Sequence, residues 1–181
     1  MIQVRPLFIG RFQPVHLGHL SAIEWVLKQD GVDRVIVGIG SSNQSFTFKN
    51  PFTAGERIDM ITEVLDSINV KYSVCTIPDT GGLASIWFSY VRNYCPSFDL
   101  IYSNDEFTKL ALSYWKIPVF NTPLFNKDKL SGTNIRLLMA LGKEEWGSLV
   151  PEPVREFIER INGVERVRKL AVIEGILKND A

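Results

Sequence analysis

Short apolar runs alternate along the chain with longer stretches in which apolar residues recur every three or four positions. The segments 7–10, 34–40, 72–77, 99–102 and 117–120 are rich in β-branched and aromatic residues, the texture of strands buried on both faces. Between them lie predicted helices. Leu20, Ile23, Trp25, Val26 and Leu27 make one apolar face, and Ile58, Met60, Ile61, Val64 and Leu65 another. A third helix is predicted over 84–94, where Ile86, Trp87, Tyr90 and Val91 keep helical spacing. From Thr133 onward the pattern is helical throughout, with Pro151 at a helix start and Glu152 and Glu156 in its early turns.

This alternation predicts βαβ units and an α/β fold: a Rossmann-like parallel sheet of about five strands with helices on both faces, followed by a helical C-terminal region. Ligands of such sheets bind beyond the carboxyl ends of the strands, where the strand order reverses. The loops after the strands are therefore the places to look for chemistry.

Bulk composition narrows the class. The 181 residues suffice for one domain, read as an α/β nucleotide-binding core over 1–125 and a helical portion over 126–181. Twenty basic side chains balance twenty acidic ones, so no global field gathers polyanions and any anion site must be local. No basic stripe interleaved with aromatics points to nucleic acid. Cys75 and Cys95 belong to no CxxC pair, and the expectation is two reduced, mostly buried thiols. Without a run of roughly 20 apolar residues or a signal-type N-terminus, the chain is read as soluble and cytoplasmic.

The loop after the first strand reads Gly10-Arg11-Phe12-Gln13-Pro14-Val15-His16-Leu17-Gly18-His19 and holds both histidines of the chain. Gly10 permits a sharp turn and close approach of a ligand, and Pro14 restricts the loop. Gly18 opens the next helix, whose unpaired N–H groups favour phosphate. His16 and His19, three apart, reach one face of a first turn, and Arg11 adds a charged fork suited to phosphate oxygens. A lone histidine would be read as core or surface. Two of them with an arginine in one Gly-rich strand-to-helix loop read as an anion cradle. A zinc pair ranks below it, because no third ligand shares the HxxH face.

Gly-Arg-Phe-Gln-Pro-x-His-x-Gly-His resembles the HxGH signature of the nucleotidyltransferase superfamily, and its lead-in is similar to that of archaeal nicotinamide mononucleotide (NMN) adenylyltransferases. A second segment, Ser131-Gly132-Thr133-Asn134-Ile135-Arg136, is by itself an ordinary capped helix start with an arginine, but it is similar to the superfamily's SxTxxR signature. The resemblance extends to residues 50–57, 123–125 and 161–166.

What the resemblance implies is transfer of AMP from ATP to NMN, giving NAD and pyrophosphate, with Mg²⁺ bridging phosphate oxygens and no metal ligand from the protein. His16, His19, Arg11 and Arg136 match the catalytic positions, and Gly10, Phe12, Gly18, Ser131 and Thr133 complete the ATP site. Asn104 falls where the family holds adenosine, although capping the next helix explains it equally well. Asp79 and Trp87 match the nicotinamide-reading loop and helix, with Thr80-Gly81-Gly82 replacing the family's asparagine-rich stretch. Trp87 also suits a core position. Lys49, in the loop after the second strand, is either a phosphate contact or a solvated lysine. The resemblance further implies a homo-oligomer, a hexamer in the archaeal branch. The competing readings are a sister adenylyltransferase using phosphopantetheine or FMN, and a nucleotide-binding regulator without turnover.

Overall fold

The computed structural model describes residues 3–126 and 128–178. Its elements run β1 (Pro6–Gly10), α1 (Leu17–Leu27), β2 (Val35–Gly40), α2 (Ala54–Ser67), β3 (Tyr72–Ile77), α3 (Ala84–Tyr94), β4 (Leu100–Tyr102), α4 (Glu106–Ser113), β5 (Val119–Phe120), α5 (Gly132–Ala140), a 3₁₀ turn (Glu144–Leu149), α6 (Glu152–Arg160) and α7 (Gly163–Ile173). The strands pair in parallel in the order β3-β2-β1-β4-β5. The order reverses between β1 and β4, which places the crevice typical of such sheets at the end of β1, where the HxGH loop begins.

Contacts group the chain into two compact units, cut differently from a division at residue 125. The first contains the residues up to Arg11, Ser21–Asn43 and Asn69–Leu124. The second contains Phe12–Leu20, Gln44–Ile68 and the described residues from Phe125 onward.

The first unit holds the whole sheet. Every residue of β2 is buried, as its unbroken apolar run requires. Gly38 is small for a packing reason: a Cβ there would lie 3.0 Å from Ile77 and 3.2 Å from Leu7 on the two flanking strands. Leu7, Ile36, Ile77 and Ile101 of the sheet pack with Trp87 and Val91 of α3 and Leu112 of α4. Cys75 of β3 and Cys95, which caps α3, do not remain thiols. They form a disulfide with Cα atoms 5.1 Å apart, because the β3–α3 crossover folds the end of the helix back onto its own strand.

The second unit is helical. Thr53 caps α2 in a capping box: its hydroxyl accepts from Glu56 N–H at 3.2 Å while Glu56 accepts from Thr53 N–H at 2.9 Å. The same Glu56 takes both ends of the Arg166 fork from α7, at 2.7 and 2.8 Å. Burial by itself would raise the Glu56 carboxyl, but that fork and the Thr53 N–H hold it below the usual range. Pro151 sits at the N-cap of α6, and Val154, Phe157 and Ile158 are its buried stripe. The α6–α7 corner closes through Asn162 in the left-handed region (φ 57°) and Gly163, where a Cβ would lie 2.9 Å from Ile158. Val167 and Leu170 of α7 are buried and Ile173 is exposed; the helix packs on α5 and α6. Among the described residues no helix is long and apolar enough to cross a membrane.

Candidate phosphate-binding site

The HxGH and SxTxxR motifs share the second unit. Phe12, fully buried, takes a left-handed backbone (φ 53°), a conformation a bulky residue holds only when its surroundings fix it. Next to it Gln13, 4 % exposed and preceding a cis proline, hydrogen-bonds the backbone of Phe52 twice. Its Nε2 donates to Phe52 O at 2.9 Å, and its Oε1 accepts from Phe52 N–H at 3.0 Å. The loop is thereby tied to the segment that leads into α2.

His16 lies just ahead of α1, and its carbonyl accepts from the N–H groups of His19 and Leu20 in the first turn. The two imidazoles stack with centroids 3.6 Å apart and planes 23° apart. The Phe12 ring sits 4.7 Å from His19. Gly18 makes room for this arrangement, since a Cβ there would come within 3.1 Å of the His16 ring.

Each histidine receives the other's backbone N–H at Nδ1, at 3.3 Å in both directions. An Nδ1 that accepts cannot carry the proton of a neutral imidazole, so in each ring the proton belongs on Nε2. Burial lowers His16 to about 4, and burial together with the adjacent His16 keeps His19 well below its ordinary value. At neutral pH the pair is thus uncharged, with two Nε2–H donors carried side by side.

Arg136 brings in the second motif. Ser131 caps α5 by accepting from Asn134 N–H at 3.2 Å, which fixes the first turn. From that turn the Arg136 guanidinium donates through Nη1 to the Gln13 carbonyl at 2.6 Å, across 123 residues of sequence, and through Nη2 to the Thr133 hydroxyl at 3.3 Å. It lies over the Phe48 ring at 5.6 Å and is 6 % exposed. Gly132 is required beside it: a Cβ there would stand 2.8 Å from the Gln13 carbonyl and 2.9 Å from Arg136 Nη1. Thr133 is exposed, as is Lys49 in the loop between buried Phe48 and Asn50. Glu174 holds that loop by accepting from Phe48 N–H at 2.6 Å.

The remaining sequence-predicted residues belong to the first unit. Gly10 ends β1, and Arg11 is exposed; a Cβ on Gly40 would meet both residues, at 3.6 and 4.0 Å. Asn104 does not cap α4. Asp105 does, accepting from Thr108 N–H at 2.8 Å, while the Asn104 amide donates to the Thr122 hydroxyl at 2.8 Å and accepts from Thr122 N–H at 3.1 Å. The Asp79 carboxylate accepts from Ser41 at 3.1 Å and from Gly81 N–H at 2.8 Å, and Asn43 bonds both its N–H and its carbonyl. Trp87 is 7 % exposed within the core and touches Phe107 edge-on at 6.2 Å.

Phe48, Asn43 and Thr122 carry no mark of these roles in the sequence, and Gln13, although it stands within the Gly-Arg-Phe-Gln-Pro lead-in, gives no sign there that it would bond Phe52 and receive Arg136. Among the described residues no group of three or more His, Cys, Asp or Glu gathers as a metal site.

The cytidylyltransferase-like family model matches residues 7–138, spanning both motifs. Nicotinamide-nucleotide adenylyltransferase of Thermococcus onnurineus is 44 % identical over 169 residues, covering 92 % of this chain and 88 % of its own. The enzyme of the same name from Halobacterium salinarum is 41 % identical, with 92 % of each chain covered. In fold, the chain superposes on a bifunctional NMN adenylyltransferase/ADP ribose pyrophosphatase from Francisella tularensis, crystallised with AMP and a manganese ion, with a TM-score of 0.71 and 18 % identity. That match covers 97 % of this chain and about half (54 %) of the larger one. With its sheet order, its stacked histidine pair and its capped arginine helix set beside relatives of this identity and coverage, the chain belongs to the nicotinamide-nucleotide adenylyltransferase family.

Proposed function

We propose that this protein transfers the AMP moiety of ATP to NMN, forming NAD and releasing pyrophosphate. The observation that carries the reading is the hydrogen bond from Arg136 to the Gln13 carbonyl, which joins the two motifs in one unit beside the histidine pair.

The attacking group, an NMN phosphate oxygen, is ionised at neutral pH, so no general base is needed. A P–O bond forms to the α-phosphorus of ATP as the bond to the departing pyrophosphate breaks, and negative charge accumulates on the oxygens in flight. His16 and His19 offer Nε2–H donors to those oxygens, and Arg11 and Arg136 offer permanent positive charge. Gly10, Phe12, Gly18, Ser131 and Thr133 shape the phosphate loop and helix start, and Asn104 contributes beside adenosine. The side chains assigned to the phosphates are donors and cations, and among the described residues no group of three or more His, Cys, Asp or Glu gathers for a bare ion. That donor set fits Mg²⁺ carried on phosphate oxygens, where it neutralises charge.

For NMN we assign Asp79, Trp87 and Lys49. Asp79 carries acceptor oxygens on a loop already ordered by Asn43, and Lys49 is exposed for phosphate. Trp87 would stack on the nicotinamide ring as Phe107, 47 % exposed above it, gives way. The proposal sets the reaction in the cytoplasm, where ATP is available, and takes the working form to be a homo-oligomer, with the family's hexamer as the expectation.

The test is pyrophosphate release from ATP and Mg²⁺ with NMN, nicotinic acid mononucleotide, phosphopantetheine and FMN offered separately. Release with NMN or its acid analogue, falling about a hundredfold to a thousandfold in His19→Ala, is expected, the loss of one donor to developing charge. Release with phosphopantetheine or FMN alone would move the acceptor. ATP binding without release under any condition would overturn catalysis.

A further inference from the structure

Both residues assigned to the nicotinamide end of the acceptor lie inside one cross-linked loop. The Cys75–Cys95 bond joins positions 20 apart, and Asp79, the Thr80-Gly81-Gly82 turn and Trp87 all fall between them, within the first unit. The strand end of this loop is firm: Cys75 is 6 % exposed and sits in the β2–β3 ladder opposite Gly38. The helix end is Cys95, the half-buried C-cap of α3, whose N–H donates to the Val91 carbonyl at 3.2 Å.

The start of α3 is held more loosely. Leu83 at the N-cap gives the helix no side-chain cap. Before it, Gly81 and Gly82 take φ of 62° and 88°, and beyond their chain neighbours no atom lies within 4 Å of where a Cβ would stand. Trp87 and Val91 are the two buried residues of the helix. The covalent bond at Cys95 is therefore a principal restraint on where α3, and Trp87 with it, stands against β3. Asp79 does not depend on that bond. Ser41 and Asn43, outside the cross-linked loop, hold its carboxylate, its N–H and its carbonyl.

We infer that the Cys75–Cys95 disulfide is a positioning device for the acceptor. Closed, it fixes Trp87 in place relative to Asp79; open, it frees α3 and weakens acceptor binding while leaving ATP binding unchanged. The inference rests on the assignment of Asp79 and Trp87 under the proposed function. Its physical ground is preorganisation, because a stacking surface that must be ordered at the moment of binding loses affinity by the cost of ordering it. His16, His19 and Arg136 belong to the second unit and lie outside the cross-linked loop. Opening is a two-electron exchange with a dithiol. One of its thiolates attacks the sulfur of half-buried Cys95 and Cys75 leaves; the second sulfur then displaces Cys95 and closes the reagent's own disulfide, each released cysteine taking one of the dithiol's protons. In a compartment that keeps thiols reduced, such a bond is a variable rather than a fixed staple.

The experiment is steady-state pyrophosphate release by the oxidised protein, by the same protein treated with dithiothreitol and by the double variant Cys75→Ser/Cys95→Ser, with thiol titration to fix the state of each. On opening, KM for the acceptor is expected to rise at least about fivefold, the low end of ordinary coupling, while KM for ATP stays within about twofold. Reoxidation restores the low value, and the double variant matches the reduced protein and ignores dithiol. A role confined to stability would instead lower the active fraction, seen in kcat with both KM values unchanged. An acceptor KM equal in the two states overturns the inference, as do equal rises in both KM values or two free thiols that persist under an oxidised dithiol. A failure of the NMN assignment shows in the acceptor screen, whereas a failure of this inference shows only between redox states. If no acceptor turns over, NMN binding by calorimetry replaces KM: tighter binding by the oxidised protein supports the device, and no difference between the states, including no binding in either, refutes it.

Discussion

Gln13→Ala would remove two buried hydrogen bonds in one step. Its amide donates to the Phe52 carbonyl at 2.9 Å and accepts from the Phe52 N–H at 3.0 Å, with Gln13 4 % exposed and Phe52 0 % exposed. Alanine leaves both Phe52 backbone groups buried without those partners, at about 1–3 kcal/mol each, so the cost is about 2–6 kcal/mol. For a chain of this length each kcal/mol moves the melting temperature by about 2–4 °C, giving a fall of roughly 4–24 °C. Activity should fall as well. The Gln13 carbonyl receives Arg136 at 2.6 Å, and His16 follows three residues on, so slack in this loop displaces both motifs. The expected drop in kcat/KM for pyrophosphate release is at least about tenfold, equivalent to about 1.4 kcal/mol. Gln13→Glu keeps the acceptor for Phe52 N–H but sets a buried carboxylate against the Phe52 carbonyl, so it should not rescue. A melting temperature within about 2 °C of wild type for Gln13→Ala, read by circular dichroism, would refute this account of the loop.

Three further predictions follow from the same geometry. Gly132→Ala should destabilise by about 1–3 kcal/mol through overpacking and cut kcat/KM, because its Cβ meets the Gln13 carbonyl and Arg136; helix propensity alone favours alanine by about 1 kcal/mol, so a stabilised, active variant would reject the contact. His16, lowered by burial to about 4, takes up more protons unfolded than folded between about pH 4 and 6.5, so its contribution is complete above 6.5 and declines as pH falls toward 4. Its full size is about 3 kcal/mol, and melting curves across this window should be flatter for His16→Asn; equal slopes would refute it. Reducing the Cys75–Cys95 bond with excess dithiol, or Cys95→Ala, opens a cross-link spanning 20 residues and should cost about 3 kcal/mol in a denaturant titration, with no change in midpoint as the contrary result.

Much of the architecture was written locally. The segment 84–94 forms α3 with the boundaries its apolar spacing predicts, and β3 occupies the predicted Tyr72–Ile77, because burial on one helical face or on both strand faces imposes periods visible in a short window. The same holds for chemistry confined to one turn. His16 with His19, and the Ser131 cap with Thr133 and Arg136, are neighbours in sequence and so had to be neighbours in space.

The alternation of strands and helices, the parallel sheet and the HxGH and SxTxxR segments were therefore legible in the residues alone. What those segments touch came from the fold. The Gln13 bonds to Phe52, the Arg136 bond to the Gln13 carbonyl, the Asn43 clamp on Asp79 and the Cys75–Cys95 disulfide join residues between 20 and 123 positions apart. Nothing in the residue types ranks those partners above many others. Whether Asn104 caps a helix or clamps Thr122, and whether two cysteines stay apart or bond, depends on where the crossovers return the chain, and that is set by packing of the whole sheet rather than by any local preference.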